Sequence, residues 1–273
     1  MTADIDENNE NYFSHKARKR FGQNFLTDDN VINAIVQAIN PKSNDCLIEI
    51  GPGKGAITLP LLNACPKLTV IELDRDLVKN LQRLQQKYPL LTVCEADALQ
   101  TDFRTFCEGA NLRIVGNLPY NISTPLIFHL LTFNNVVTDM HFMLQKEVVD
   151  RLCAEPNSKS YGRLSVMVQY YAEVEALFKV PPESFDPAPK VTSAVVRITP
   201  HRASHFPELA DNEAHFRQFV TDCFQTRRKT LRNNLKKRYS EDIIQRLPID
   251  VGRRPETLSV AEFVSLSNFI VRD

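Results

Sequence analysis

The sequence predicts an α/β protein with a doubly wound, mainly parallel sheet of seven strands, followed by a small all-helical C-terminal domain. Two patterns carry this prediction. Short apolar segments with strand character alternate with helical patterns before Pro200, which is typical of βαβ units. After Pro200 the pattern is helical and no convincing strand follows. We therefore expect a disordered tail at 1–12, a larger catalytic domain at 13–200 and a helical domain at 201–273.

The candidate strands are short and separated by helical or turn signals. They are Cys46–Ile50, Leu68–Leu73, Leu91–Glu95, Leu112–Val115, His141–Leu144, Val174–Val180 and Ala194–Ile198. Helical patterns between the early strands cover Ala56–Asn63 and Arg75–Lys87, and the second has leucines at helical spacing. The last two strands are joined through a proline-rich stretch without a helix. An antiparallel pair is therefore expected at one edge of the sheet.

Composition limits the class of protein. The chain has 273 residues, of which 43% are hydrophobic and 24% are charged, as in an ordinary globular protein. It contains no apolar run long enough to span a membrane. The acidic start is unlike a signal peptide, and the six scattered cysteines form no CxxC pair. These features favour a reduced, disulfide-free protein of the cytoplasm. Nothing in the sequence suggests an obligate dimer, so we expect a monomer. His201 and His205 lack the glutamate of a metalloprotease helix, so we expect no metal.

The formal net charge of zero conceals an uneven distribution. From His201 onward there are 13 basic and 10 acidic residues, so the rest of the chain is net acidic. We expect a helix over Asn212–Arg238, in which Arg227–Arg238 contains seven basic residues and no acidic one, with Leu231 and Leu235 anchoring one face. Such a run either binds RNA in a salt-sensitive way or forms a solvated helix face. The predicted RNA contacts are Arg227, Arg228, Lys229, Arg232, Lys236 and Lys237.

A second basic group lies near the N-terminus. It comprises Lys16, Arg18, Lys19 and Arg20. We expect it to lie beside the mouth of the active site and to contact phosphates there.

Glycine is scarce, and three of the eight glycines follow the first candidate strand as Gly51, Gly53 and Gly55. A glycine-rich turn between strand and helix lets a nucleoside cofactor approach the backbone. The spacing is GxGxG, whereas the dinucleotide fingerprint is GxGxxG. Glu49 before the glycines suits a cofactor without phosphates that carries positive charge. The alternative is an ordinary turn that needs positive φ angles.

Carboxylates follow the next two strands. Glu72 ends the second strand of the glycine-loop unit, where a carboxylate accepts both hydroxyls of a ribose. Asp97 follows the third strand and is placed to meet an adenine amino group. The alternative for either residue is a helix N-cap. Together with Gly51, they predict one nucleoside site at the sheet edge.

A polar turn, Asn117-Leu118-Pro119-Tyr120, ends the fourth strand. The Asn117 amide oxygen and the Leu118 carbonyl suit the hydrogens of an exocyclic amine, Pro119 fixes the turn, and the Tyr120 ring suits a stacked base. Two acceptors raise the electron density on such a nitrogen, so Asn117 acts by positioning and electrostatics. The alternative is a proline-ended strand with a half-buried tyrosine.

With these residues in place, the chain resembles a family. Asn-Leu-Pro-Tyr is similar to the motif of S-adenosylmethionine-dependent amino-methyltransferases, and the chain as a whole resembles the small-subunit ribosomal RNA adenine N6,N6-dimethyltransferases. The resemblance rests on seven motifs in order: 20–26, 49–53, 70–74, 116–123, 142–147, 161–165 and 185–191. It implies a Rossmann-like class I methyltransferase fold. It also implies transfer of two methyl groups to each of two adjacent adenosines in the 3′-terminal hairpin loop of 16S ribosomal RNA, within the immature small subunit.

The resemblance also implies roles for individual residues. Asn24 and Leu26 would close over S-adenosylmethionine, and Phe185 would cover the target adenine opposite Tyr120. The implied cofactor contacts are Asn24, Leu26, Gly51, Glu72, Asp97 and Asn117. The target base must leave its stack to reach the methyl donor.

Three alternatives stay open. One is an erythromycin-resistance-type methylase acting on 23S ribosomal RNA, which the motifs at 142–147 and 161–165 disfavour. The second is an NAD-dependent oxidoreductase, which the GxGxG spacing and the lack of a Tyr-xxx-Lys or His dyad disfavour. The third is a non-catalytic ribosome-assembly factor that binds RNA through the basic run, a role that is compatible with methylation.

Overall fold

A computed structural model of the chain describes residues 24–106, 111–202 and 209–273. The predicted tail at 1–12 and the basic group at 16–20 lie outside these residues. The strands, in chain order, are β1 (Phe25–Leu26), β2 (Cys46–Ile50), β3 (Leu68–Glu72), β4 (Thr92–Glu95), β5 (Leu112–Asn117), β6 (Val137–Gln145), β7 (Ala172–Val180), β8 (Phe185–Asp186) and β9 (Ser193–Pro200).

Ten α-helices occur in the described residues. They are α1 (Asp29–Ile39), α2 (Thr58–Ala64), α3 (Arg75–Lys87), α4 (Ser123–Leu131), α5 (Lys146–Leu152), α6 (Arg163–Tyr171), α7 (Glu213–Cys223), α8 (Leu231–Leu235), α9 (Glu241–Arg246) and α10 (Val260–Arg272). Short 3₁₀ helices cover Phe103–Phe106, Pro182–Ser184 and Pro255–Thr257.

The large sheet has seven strands in the order β4-β3-β2-β5-β6-β9-β7. The pairs β4·β3, β3·β2, β2·β5 and β5·β6 are parallel, and β6·β9 is antiparallel. The prediction of a mainly parallel seven-stranded sheet is confirmed. The central strands are apolar along their length because both faces of a parallel sheet are covered. In β2, for example, Leu47, Ile48 and Ile50 are all buried.

A second sheet of two strands was not predicted. Phe25 pairs with Asp186 and Leu26 with Phe185, in antiparallel register. The pairing continues one residue beyond the strands, where the Thr27 amide donates to the Ser184 carbonyl at 2.9 Å. Strands of two residues are too short to show the alternation by which a sequence reveals a strand.

The structure divides into two compact units. The first comprises the described residues up to Lys146 together with Glu175–Pro200. The second comprises Glu147–Val174 together with the described residues from His201 onward. It therefore includes α6 and most of α5, which precede the boundary expected at residue 201. The assignment of a catalytic and an RNA-binding role to the two parts stays a prediction.

The prediction of one helix over Asn212–Arg238 is wrong in its length. Helix α7 ends at Cys223, and α8 covers only Leu231–Leu235. Buried Asn234 explains the break, because its Nδ2 donates to the Cys223 carbonyl at 2.7 Å and its Oδ1 accepts from the Thr226 amide at 3.1 Å. These bonds stabilise the turn in place of helical bonds. The described residues from 209 onward contain no strand.

Two further observations concern the thiols and the membrane. The expectation of a disulfide-free chain is wrong at Cys46, which is disulfide-bonded. Cys65, Cys94, Cys153 and Cys223 are free. No helix in the described part of the chain is both long and apolar enough to cross a bilayer.

Gly116 occupies the most crowded glycine position of the sheet. A Cβ atom there would lie 2.5 Å from the Ile50 carbonyl oxygen and 3.1 Å from a methyl of Leu118. The first contact is with backbone, which cannot rotate away. A glycine is therefore required for β5 to pair with β2 directly below the Asn-Leu-Pro-Tyr turn.

We predict that Gly116→Ala lowers the free energy of unfolding by about 2–3 kcal/mol, because overpacking forces the two strands apart. Gly162→Ala is the matched control, since its Cβ would meet no atom within 4 Å. Chemical denaturation measures both. Equal stability losses in the two variants would contradict the steric explanation.

Candidate active site

The carboxyl ends of β2, β3 and β5 border a cavity of about 250 Å³. All ten residues that the sequence assigned to cofactor or catalysis line this cavity: Asn24, Leu26, Gly51, Glu72, Asp97, Asn117, Leu118, Pro119, Tyr120 and Phe185. They come from six separate places in the chain. The sheet topology and the β1·β8 pairing bring them together, while their roles stay proposals until tested.

The glycine loop wraps one side of the cavity. Gly51, Gly53 and Gly55 have φ angles of 66°, 59° and 78°, which residues other than glycine rarely adopt. At Gly53 a Cβ would also press against the Phe25 ring at 3.3 Å. The glycines therefore serve both the turn and the close packing of β1 over it.

Glu72 is nearly buried and held by backbone amides. Its Oε1 accepts from the amides of Leu73 and Asp74, both at 2.9 Å, and its Oε2 accepts from the Gly53 amide at 3.4 Å. Burial raises the pKa of this carboxyl, although the three amide bonds oppose the effect. The helix cap of α3 is Asp74, so Glu72 is not the N-cap that the alternative interpretation required.

Glu49 is a second buried carboxyl on the cavity wall, with 2% of its surface exposed. Burial raises its pKa to about 7, and the negative charge of Glu72 contributes to the increase. The buried Thr58 hydroxyl donates to Glu49 Oε2 at 2.6 Å, and this hydrogen bond opposes the increase in pKa. Two desolvated carboxyls on one cavity favour a ligand that brings positive charge.

Asp97 stabilises the turn that follows β4. Its Oδ1 accepts from the Leu99 amide at 2.9 Å, but residues 98–100 form a turn and no helix begins there, so Asp97 is not the helix N-cap of the alternative interpretation. The residue is only partly buried and lines the cavity beside Ala96 and Ala98. The turn therefore fixes the carboxylate at the cavity wall.

Asn117 is the last residue of β5. Its Nδ2 donates to the Asn24 carbonyl at 3.3 Å, so the amide oxygen is the atom left to accept from a target amine. The Leu118 side chain is buried, and its amide donates to the Met143 carbonyl at 3.3 Å. A bond to the residue before β1 and a bond to β6 thus fix the first half of the turn.

Tyr120 is held at both ends. Its hydroxyl lies 3.1 Å from Ser193 Oγ, and its carbonyl accepts from the Ser123 hydroxyl at 3.2 Å. The ring is partly exposed and borders the cavity. This orientation is compatible with a stacking surface.

The small sheet forms another wall. Phe25, Leu26 and Phe185 line the cavity and are 5–7% exposed. The Nζ of Lys54 lies 4.6 Å from the centre of the Phe25 ring, a favourable cation–π distance. Phe185 is therefore a buried wall residue that pairs with Leu26.

Sequence reasoning missed several supporting residues. Phe25 sits inside a motif that was noted, so its aromatic ring was the available signal. No signal in the sequence pointed to Thr58 or Ser193, because a serine or threonine in a helix or strand does not stand out until its hydrogen-bond partner is known. In the described residues, no group of three or more His, Cys, Asp and Glu side chains has metal-binding geometry.

The basic run at 227–238 forms a second candidate site, in the second unit. Leu231 and Leu235 are fully buried and anchor α8, as expected. Its charges are not all uncompensated, because Arg232 pairs with Glu241 and Arg238 lies 3.5 Å from Asp222. Those acids lie outside the run, where the local sequence does not show them.

The other predicted RNA contacts differ in whether the side chain already has a partner. Arg227 donates to the Lys159 carbonyl. Four side chains are exposed and form no ion pair within the described part of the chain: Arg228, Lys229, Lys236 and Lys237. These four carry most of the available charge of the run.

The fold and the site together define a Rossmann-like class I methyltransferase. The strand order is that of this class, and the glycine loop and the Asn-Leu-Pro-Tyr turn lie at one edge of the sheet. The family model described as ribosomal RNA adenine dimethylase matches residues 14–272. The chain belongs to that family.

Similar proteins agree with this assignment. The ribosomal RNA small subunit methyltransferase A of Saccharophagus degradans is 56% identical over 255 residues, covering 93% of this chain and 94% of that protein. Its counterpart from Actinobacillus pleuropneumoniae is 50% identical over 271 residues, covering 97% and 93%.

Solved structures show the same fold. A dimethyladenosine transferase from Plasmodium falciparum has a TM-score of 0.74 at 26% identity, covering 89% of this chain and 95% of that one. The 23S rRNA methyltransferase ErmE has a TM-score of 0.68 at 23% identity, covering 91% and 100%. The second likeness concerns the fold alone.

We predict that Glu49 makes the stability of the cofactor-free protein depend on pH. Its folded pKa of about 7 lies above the ordinary value of 4.5. Its contribution is therefore fully present below pH ~4.5 and is lost as the pH rises through 7, by up to about 3 kcal/mol. Glu49→Gln keeps an acceptor for Thr58 and should flatten this profile.

Chemical denaturation between pH 5 and 8 measures the effect. The control is Glu173→Gln, at an exposed glutamate, which should keep the wild-type profile. A Glu49→Gln profile as steep as that of the wild type would contradict the assignment.

Proposed function

We propose that the protein transfers methyl groups from S-adenosylmethionine to N6 of two adjacent adenosines in the 3′-terminal hairpin loop of 16S ribosomal RNA, producing N6,N6-dimethyladenosine. The observation that carries the proposal is the placement of the Asn117–Tyr120 turn on the same cavity as the glycine loop and Glu72. Family membership supports the reaction. The names of the 50–56% identical relatives support the small subunit rather than 23S RNA.

The cavity fits S-adenosylmethionine by its chemistry. The backbone at Gly51 and Gly53 leaves a cradle that a Cβ could not occupy without strain. Glu72 would hold the ribose hydroxyls, Asp97 the adenine amine, and Asn24 and Leu26 would cover the cofactor. The buried Glu49 carboxyl suits its positive charge. When bound, the cofactor supplies a methyl group activated by a sulfonium.

The protein has to make a weak nucleophile reactive. The lone pair of an adenine N6 amine is delocalised into the ring. The amide oxygen of Asn117 and the carbonyl of Leu118 would accept its two hydrogens and draw the nitrogen towards tetrahedral geometry. The methylated amine is acidic enough to lose its proton without a strong base. The bond from Asn117 Nδ2 to Asn24 fixes the amide so that its oxygen can act as acceptor.

Aromatic side chains would hold the extruded base. Tyr120 would stack on one face of the adenine, and Phe185 would lie on the other. An aromatic pocket offsets the cost of unstacking the base from the RNA. Pro119 sets the direction of the turn between the amine acceptors and the stacking ring.

The second unit would contribute affinity for RNA. The exposed cations Arg228, Lys229, Lys236 and Lys237 fit contacts with phosphates, while Arg227 and Arg232 are already engaged. The binding partner would be 16S RNA in the immature small subunit, bound by a monomer in the cytoplasm. Binding to the subunit and methylation together would give the protein a role in ribosome biogenesis.

Asn117→Ala tests the catalytic assignment. We expect kcat for methyl transfer to fall at least about 100-fold, because a positioned acceptor is lost, while cofactor binding largely survives. Labelled S-adenosylmethionine, immature small subunits and mass spectrometry of the RNA measure transfer, and calorimetry measures cofactor binding. Asn63→Ala, at an exposed asparagine of α2, is the matched control. Full turnover by Asn117→Ala would reject the mechanism.

Lys236→Ala combined with Lys237→Ala tests the RNA-binding assignment. We expect the slope of log affinity against log salt to fall by about 1 for each lost phosphate contact. Binding of a hairpin RNA with two adjacent loop adenosines, titrated at several salt concentrations, measures the slope. Lys79→Ala combined with Lys87→Ala, two exposed lysines of α3, controls for net charge. An equal change in both double variants would contradict a specific contact.

A further inference from the structure

We propose that Ser193 is a positioning residue for methyl transfer and acts through the ring of Tyr120. The inference rests on the proposed function, because it assumes that Tyr120 stacks on the target base. Nothing in the sequence singled out this serine. The structure places its hydroxyl oxygen 3.1 Å from the Tyr120 hydroxyl oxygen, within hydrogen-bond distance.

Ser193 has a rigid setting. It is the first residue of β9, is 1% exposed, and lies opposite Gln145 of β6 in the antiparallel register. Directly before it, the Thr192 carbonyl accepts from the Lys146 amide at 3.0 Å. The hydroxyl therefore projects from a strand fixed on the sheet. A site on strands holds its geometry better than one on a loop.

Tyr120, in contrast, lies in the turn between β5 and α4. Its backbone is fixed by the bond from the Ser123 hydroxyl to its carbonyl. That bond leaves the ring free to rotate about the side-chain torsions. The contact with Ser193 at the far end of the ring fixes the position of the hydroxyl oxygen. Because a phenolic O–H prefers to lie in the plane of its ring, the direction of this bond also favours one ring plane.

The orientation of the ring matters because a stacked base takes its plane from the ring beneath it. Methyl transfer needs the amine within about 3–3.5 Å of the methyl carbon and in line with it. After the first transfer, N6 carries a methyl group, and fewer orientations of the base fit the pocket. A loosely held ring should therefore slow the second transfer more than the first.

The test is a double-mutant cycle with Ser193→Ala and Tyr120→Phe. Each variant removes one hydroxyl, and Tyr120→Phe keeps the stacking ring. We expect each single variant to lower kcat about 3–10-fold, the size of one neutral hydrogen bond, with KM for the RNA nearly unchanged. The ratio of monomethyl- to dimethyladenosine should rise in both. The double variant should be no worse than either single one, since the same interaction is lost.

The control is Ser267→Ala. Ser267 is fully buried in the second unit, and its Oγ lies 2.9 Å from His215 Nδ1, so this variant also loses a buried serine contact. It should lower stability without changing the product ratio. Mass spectrometry of the nucleosides and steady-state kinetics on small subunits provide the readouts, and calorimetry checks that cofactor binding is unchanged.

The possible outcomes are distinct. Wild-type kcat and product ratio in folded Ser193→Ala would overturn the proposal, as would independent, multiplicative effects of the two substitutions. If Ser193→Ala does not fold, Tyr120→Phe alone decides, and a wild-type product ratio in it overturns the proposal. If the wild-type protein itself methylates no adenosine, it is the proposed function that fails.

Discussion

The antiparallel pairing of Phe25–Leu26 with Phe185–Asp186 is the contact on which the cavity depends. It joins the start of the described chain to a segment about 160 residues later. Because of this pairing, the Asn24 carbonyl meets the Asn117 amide and the Phe25 ring packs against Gly53. The junction is reinforced by Asp28, whose Oδ1 caps α1 while its Oδ2 accepts from the Ser184 hydroxyl at 3.0 Å. Loss of the pairing would open the cavity on the side where we place the cofactor.

The sheet supplies the complementary constraint. Parallel strands end at one edge, so a glycine loop and a carboxylate that follow successive strands are expected to converge. Because Gly116 has no side chain, β5 lies close to the Ile50 carbonyl of β2 at that edge. For this reason, the turn at 117–120 and the glycine loop line the same cavity. Backbone packing thus brings the turn and the loop together, and side-chain bonds of Asn117 and Tyr120 orient the groups within the site.

The periodic features and the local motifs were predictable, but the long-range partners were not. Seven strands were predictable because each is a short segment rich in apolar and β-branched residues between helical or turn signals. Glu72 and Asp97 were placed by their positions at the end of one such strand and just after the next. The two-residue strands β1 and β8 have no period to detect. Arg232 was predicted as an RNA contact, but it pairs with Glu241, which lies outside the basic run and could not be recognised as its partner from the sequence. The helix break before α8 depends on the buried amide of Asn234, whose three bonds exist only in the folded chain.

The zero net charge conceals two regions of opposite charge, the cavity and the basic run. The cavity buries two carboxyls, Glu49 and Glu72, and burial raises the pKa of both. Such an arrangement costs stability when the carboxyls are ionised and unpaired, and a cationic cofactor offsets that cost. The basic run instead leaves four cations exposed, which fits the polyanionic partner that we propose. The proposed cofactor and RNA differ in charge and call for opposite electrostatics in one chain, so the net charge of the whole chain carries no information about either partner.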